Sequence, residues 1–209
     1  MNTDEIIYNV PELVKGKYNP EVVFHFYSSS GDQLPGKGAR ETIPKELEDE
    51  YKELERIPHW RKKLSNFAES PFELDGLHWN SVEHYYQACK FKHNNPDFYK
   101  TFSLESDSEL SKNPKMAKAA GGKTGKYQGK LIRSSKIKID SDFFEGSKPR
   151  AIKEMYLAQC EKFTQNEEMK DLLLATKEAN LLHILSRKPK SIPFENLIYF
   201  REMIKEHKI

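Results

Sequence analysis

The sequence predicts a mainly α fold with a small β component (α+β). Two observations carry this. Apolar residues recur at helical spacing in five or more segments, whereas strand-like alternation is confined to short stretches near residues 21–28, 72–75 and 136–139. At 209 residues, 37% hydrophobic and 32% charged, the chain can build one good core. One domain over residues 21–209, preceded by a peripheral N-terminal arm over 1–20, is the expected organisation.

The elements follow in order. Residues 1–20 hold one short amphipathic turn around Val10 to Val14, then Gly16, Asn19 and Pro20. Residues 21–28, EVVFHFYS, are β-branched and aromatic between Pro20 and Ser29-Ser30-Gly31, and make the best strand. Residues 31–40 are rich in Gly and Pro and form a loop, which is either a surface connection or a carrier of phosphate-binding N–H groups. Leu47, Tyr51 and Leu54 share one stripe in 44–55, so this is a charged surface helix. His59-Trp60-Arg61 reads equally as a helix end closed by Trp burial or as a cation and ring beside a site.

Further on, Pro96 opens a helix over 96–102, and 111–121 is a short helix ending at a Gly cap. Gly122-Lys123-Thr124-Gly125-Lys126 follows. Its glycine spacing is not that of a nucleotide-binding P-loop, so it is a basic loop whose cations Lys123, Lys126, Lys130 and Arg133 are candidates for holding a phosphate. Ile137-Lys138-Ile139 alternates as a strand. Residues 148–176 form two helices meeting near Gln165-Asn166, 180–185 are a short strand or helical turn, and 193–205 are a closing helix.

The charge balance is 34 basic to 32 acidic residues, so no global field favours nucleic acid. Two cysteines, Cys89 and Cys160, sit in apolar periodic stretches with no zinc or disulfide pattern. No apolar run approaches the ~20 residues that span a bilayer. A reduced, intracellular, soluble (cytoplasmic) protein without membrane, metal or cofactor is expected.

Chemistry concentrates in 64–92, LSNFAESPFELDGLHWNSVEHYYQACKFK. Asp75-Gly76 marks a tight turn after a strand. Asn80 or Ser81 caps a helix from about Val82, which buries Val82, Tyr85, Tyr86 and Cys89. Glu83, Gln87 and Lys90 form a second stripe, either solvated or a site. By spacing alone, Asn80-x-x-Glu83 is a capping box and Glu83 closes the helix end. His84 lies about 100° around the helix from Glu83, so the two are not an acid/base dyad.

Leu64-Ser65-Asn66-Phe67 and Ser81-Val82-Glu83-His84-Tyr85-Tyr86-Gln87-Ala88-Cys89-Lys90-Phe91 resemble the hallmarks of the NADAR, or YbiA-like, family. Lys162-Phe163-Thr164-Gln165-Asn166 and Leu172-Leu173-Leu174-Ala175-Thr176 resemble its scaffold segments. The resemblance runs from about Val22 to the C-terminus and implies a single YbiA-like domain. It implies an N-glycosidase that cuts a ribose C1–N bond in early phosphorylated riboflavin-pathway intermediates or in ADP-ribosylated guanine. Glu83 then becomes the catalytic carboxylate, stabilising an oxocarbenium-like sugar and activating water. Trp79, Tyr86 or Phe143 stack on the heterocycle, Asn66 and Gln87 orient ribose hydroxyls or the base edge, and the Gly-rich loop holds the phosphate. Where bacterial relatives carry Asp-x-x-Trp-Gly-x-Gly, this chain has Ser186-Arg187-Lys188-Pro189-Lys190. Either Arg187 and Lys188 recognise phosphate or base here, or catalysis is lost and binding kept. Three readings rank in order: a glycosidase on free phosphoribosyl metabolites, an ADP-ribosyl-guanine hydrolase for which nucleic acid is a partner only as modified substrate, and a non-catalytic ADP-ribose or nucleotide-binding module.

Overall fold

A computed structural model describes residues 2–184 and 191–209. It is about 46% helical with 14% strand in several small sheets, an α+β fold. The chain divides into two compact units, one made of Met1–Ala68 with Phe163–Ile209 and the other of Glu69–Lys162.

In the first unit, strand Asn19–Phe26 pairs in parallel with Ala179–Ile184, which pairs antiparallel with Ser191–Pro193. The first strand starts and ends two residues before its expected limits, because Tyr27 and Ser30 close a turn (Tyr27 N–H to Ser30 Oγ, 2.9 Å). Val22, Phe24 and Phe26 are wholly buried, and Phe24 meets the rings of Trp60 and Tyr51 edge-on at 5.1 and 5.3 Å. The N-terminal arm is helical over Thr3–Ile7 and Val10–Leu13 and buries Ile7, Val10 and Val14. The expected α-helix over 44–55 is a 3-10 helix, Lys45–Arg56. Its like charges at i,i+4, Glu46 with Glu50 and Asp49 with Glu53, disfavour the α spacing. Tyr51 and Leu54 bury as read.

His59-Trp60-Arg61 belongs to this packing. His59 takes a left-handed conformation (φ 57°) ahead of helix Trp60–Leu64, and Trp60 is core. Arg61 lies 4.1 Å over the Trp60 ring and binds Glu41 through Nε (2.7 Å) and Nη2, while its nitrogens also cap the carbonyls of Gln33 and Leu34. Glu41 in turn accepts the N–H groups of His25, Gly36 and Gly38. The loop 31–40 is thus gathered on an internal ion pair, and Gly36 and Gly38 already donate to a carboxylate.

The second unit opens with hairpin Phe72–Leu74/Leu77–Trp79, whose turn places Asp75 (φ 57°) and Gly76 (φ 71°) in the left-handed region, as the Asp-Gly pair predicts. The signature helix is Val82–Cys89. Pro114 divides the expected helix 111–121 into Glu109–Lys112 and Pro114–Ala120; Asn113 caps the second, accepting from Lys115 and Met116 N–H. The expected strand near 136–139 is irregular instead. Ile137 N–H turns back to Ser134, and Asp140 N–H bonds Lys90 O at 2.7 Å with no neighbouring ladder to extend. Trp79, Tyr85, Phe91, Phe102 and Phe143 form the core. Helix Arg150–Gln165 ends at Asn166, where helix Glu167–Ala175 of the first unit begins; that unit also holds the closing helix, Glu195–Lys205. No described helix is long and apolar enough to cross a membrane.

Candidate active site

The cap of the signature helix is Ser81, not Asn80. Ser81 Oγ accepts the His84 N–H (3.4 Å) and lies 2.8 Å from His84 Nδ1. Glu83 therefore falls one position short of the residue a capping box uses, and the predicted cap role is corrected. Its Oε1 instead accepts from Gln87 Nε2 at 2.8 Å.

The second stripe is not a solvated face. Glu83, Gln87 and Lys90 are 6%, 5% and 8% exposed, as buried as many core residues. Burial raises the Glu83 carboxyl above its ordinary value, against the hydrogen bond from Gln87 and the charges of Lys118 and Lys90. Burial pushes the Lys90 ammonium down to about 8, against the pull of Glu83. Lys90 Nζ donates to Gly121 O at 3.0 Å and stands 5.5 Å from the rings of both Tyr86 and Phe144. Tyr86, edge-on to Phe143 at 5.3 Å, has its hydroxyl pushed up to about 12 by burial and by Glu83.

Gly121 makes this arrangement possible. A Cβ there would stand 1.9 Å from Gln87 Oε1. Gly121→Ala is expected to drive Gln87 off Glu83 and to lower turnover about 100-fold, the scale of a ~1 Å misplacement at a reacting centre. Steady-state kinetics on a variant shown folded by circular dichroism checks this.

Beside the stripe lies a cavity of about 640 Å³, in the range of small-molecule sites. Buried Lys90 and Arg133 and exposed Lys123 and Lys138 place four cations on its wall. Arg133 Nη2 donates to the carbonyls of Gly122 (2.9 Å) and Lys123 (3.3 Å), tying the Gly-rich loop into the wall. Phe144, 55% exposed, supplies an open aromatic face. Glu83 and Gln87 do not line the cavity; Gln87 packs against Gly121 of its wall and holds Glu83.

Of the residues expected at the site, the structure brings together Glu83, Gln87, Tyr86 and, along the cavity, Lys123. Trp79 is placed in the core, wholly buried, with its indole N–H on Leu74 O at 2.9 Å. Phe143 is likewise wholly buried and packs behind Phe144 at 4.8 Å, so the open ring is its neighbour. Lys126 sits exposed on hairpin Lys126–Tyr127/Lys130–Leu131 and is not on the cavity wall. Asn66 belongs to the other unit, half-buried after helix Trp60–Leu64. Arg187 and Lys188 lie outside the described residues. In the sequence Lys90 belongs to a stripe either solvated or a site, Phe144 stands beside Phe143 where bacterial relatives carry a Trp, without being chosen, and Lys138 carries no signal.

Two neighbouring features add constraints. His84 is wholly buried, and burial lowers its imidazole to about 4. Between about 4 and 6.5 the unfolded chain binds a proton that the folded chain refuses, so stability is expected to fall as pH drops through that window. Urea unfolding at pH 7 and pH 4.5 reads the loss, up to about 1.4 kcal/mol per pH unit. His93, Asp140 and Asp142 bring possible metal-ligand atoms within 4.8 Å of one another. Arg150 already occupies the cation's place, donating to Asp140 at 2.8 Å and Asp142 at 2.9 Å.

The sequence matches the NADAR domain family over residues 57–187, a span that contains the signature helix and every residue lining the cavity. No curated protein matches the chain. Among solved structures, the NMR structure of the E. coli protein YbiA is similar, with 22% identity and a TM-score of 0.53 over 90% of this chain and 88% of that one. That likeness speaks for the fold, while the family match covers more than half of the sequence. The chain belongs to the NADAR family, whose members are N-glycosidases.

Proposed function

We propose that this protein hydrolyses the ribosyl C1–N bond of phosphorylated early riboflavin-biosynthesis intermediates and releases ribose 5-phosphate. The observation that carries the reading is a buried carboxylate, Glu83, held by Gln87, which packs against the Gly121 wall of a cavity that bears four cations. Cleavage of a ribosyl C1–N bond develops positive charge on the sugar, which a fixed carboxylate stabilises while it takes a proton from the attacking water. The raised proton affinity of Glu83 suits the second task. Lys123 and Arg133 hold the phosphate, and their binding energy positions C1 against Glu83. Gln87 orients the carboxylate, and Tyr86 and Phe144 provide the aromatic face for the base. Arg187 and Lys188 extend recognition of phosphate or base.

One observation favours a second reading, ADP-ribosylated guanine as substrate. Between Leu110 and Asp140 the chain carries nine Lys and Arg and no Asp or Glu, a local excess that the net charge of +2 conceals. The assay that separates the readings offers wild-type protein the phosphorylated ribosylaminopyrimidine and, in parallel, an ADP-ribosylated guanosine oligonucleotide. Ribose 5-phosphate from the first supports the metabolite reading; ADP-ribose from the second alone moves the substrate to nucleic acid. Inertness toward both, with ADP-ribose still bound, leaves a binding module.

A further inference from the structure

Lys15, Lys52 and Lys208, exposed elsewhere on the chain, each meet a carboxylate. On the segment that builds the large cavity the cations stand alone. Lys115, Lys123, Lys126, Lys130, Lys136 and Lys138 are exposed, and among the described residues none of them is within ion-pair distance of a carboxylate. Residues 111–139 hold no Asp or Glu, so nothing in the local sequence offsets them.

The fold holds these charges together. Hairpin Lys126–Tyr127/Lys130–Leu131 turns at Gln128 (φ 48°) and Gly129 (φ 81°), and helix Pro114–Ala120 packs against it. Leu131 at the end of the hairpin lines the cavity, and Lys123 and Lys138 stand on the same wall. Ile137 N–H bonds Ser134 O at 3.0 Å, which puts Lys136 at the corner of a tight turn whose Ser134, Ser135 and Ile137 border the cavity.

Crowded like charges repel, and a polyanion relieves the repulsion while releasing its own counterions. A chain of phosphates does this at regular spacing. Phe144, 55% exposed on the cavity, adds a flat ring on which a base can stack, and only an unpaired base can leave its strand to reach it. From this arrangement we infer that the face is a docking surface for single-stranded nucleic acid, with the backbone on these lysines and one base on Phe144. An unmodified strand suffices, so the binding does not depend on which ribosyl bond is cleaved. An anionic membrane is a poorer fit, because the exposed apolar residues here are Leu131 and Phe144 and neither lies on an amphipathic helix.

The test titrates the full-length protein into a fluorescein-labelled oligo-dT of about 20 nucleotides, long enough for one site, and reads anisotropy from about 50 to 300 mM salt. Binding is expected to be micromolar or tighter at the low-salt end. Log Kd is expected to rise with log salt at a slope of about 3–4, the sum of about four to six phosphate contacts at about 0.7 each. Lys126→Ala, Lys130→Ala and Lys136→Ala combined are expected to weaken binding at least about tenfold and to lower the slope by about 2. Phe144→Ala is expected to weaken it at least about fivefold at an unchanged slope, and a duplex of the same length to bind weaker than the strand by a similar factor. Lys15→Ala, Lys52→Ala and Lys208→Ala combined remove as much charge from elsewhere and are expected to alter Kd by less than about twofold. Absence of binding at the lowest salt, tighter binding of the duplex, an equal loss from the second triple variant, or binding to phosphatidylserine vesicles in place of the oligonucleotide would overturn the inference. The ribosylaminopyrimidine assay reads glycosidase activity separately, so either can fail alone.

Discussion

Glu83→Gln is expected to lower kcat by about 10³-fold, within the range of a lost general base, with KM little changed. The substitution preserves size, and residue 83 keeps an oxygen to accept from Gln87 Nε2. What disappears is the negative charge beside C1 and the acceptor for the water proton. The same change is expected to leave stability unaltered or raised, because the native carboxylate is held at 6% exposure at the cost of desolvation. A residue kept for structure would show the opposite pair, with stability lost and turnover spared. Kinetics and urea denaturation on one preparation separate the two cases.

The second large effect lies in the other unit. Arg61→Met removes the cation facing Glu41 and strips the carbonyls of Gln33 and Leu34 of a donor, with both side chains of the pair at most 4% exposed. A buried carboxylate left alone costs about 3–5 kcal/mol. Unfolding free energies from urea titration should fall by that amount, and Glu41→Gln in the Arg61→Met background should recover much of it. A loss below about 1 kcal/mol would mean that solvent reaches Glu41.

These expectations differ in how far they could be read from the chain. The Asp75-Gly76 turn, the Val82, Tyr85 and Cys89 stripe and the helix pair meeting at Asn166 were legible because their causes are local. The sequence left the cap between Asn80 and Ser81, and with it the role of Glu83. Local spacing permits both, and the choice is made by the buried Ser81–His84 contact. The burial of Gln87 and Lys90 was not legible, since it comes from Gly121, more than thirty positions away, closing over the helix. Phe143 and Phe144 differ only in which ring the short 3-10 turn Ser141–Phe143 directs inward, and hydrophobicity does not distinguish them. Lys126 was grouped with Lys123 by sequence proximity, yet the hairpin that begins at Lys126 holds it off the wall. The alternation at 137–139 lacked a partner strand, which a single strand pattern does not reveal.

The proposed reaction requires C1 of a phosphorylated riboside to sit against Glu83 with its phosphate among the cavity cations. A crystal structure of Glu83→Gln with the intact phosphorylated ribosylaminopyrimidine decides it. C1 is expected about 3–4 Å from the side chain at position 83 or from a water bound to it, with the phosphate on Lys123 and Arg133. A substrate bound with its phosphate elsewhere, or with C1 turned away from position 83, would contradict it.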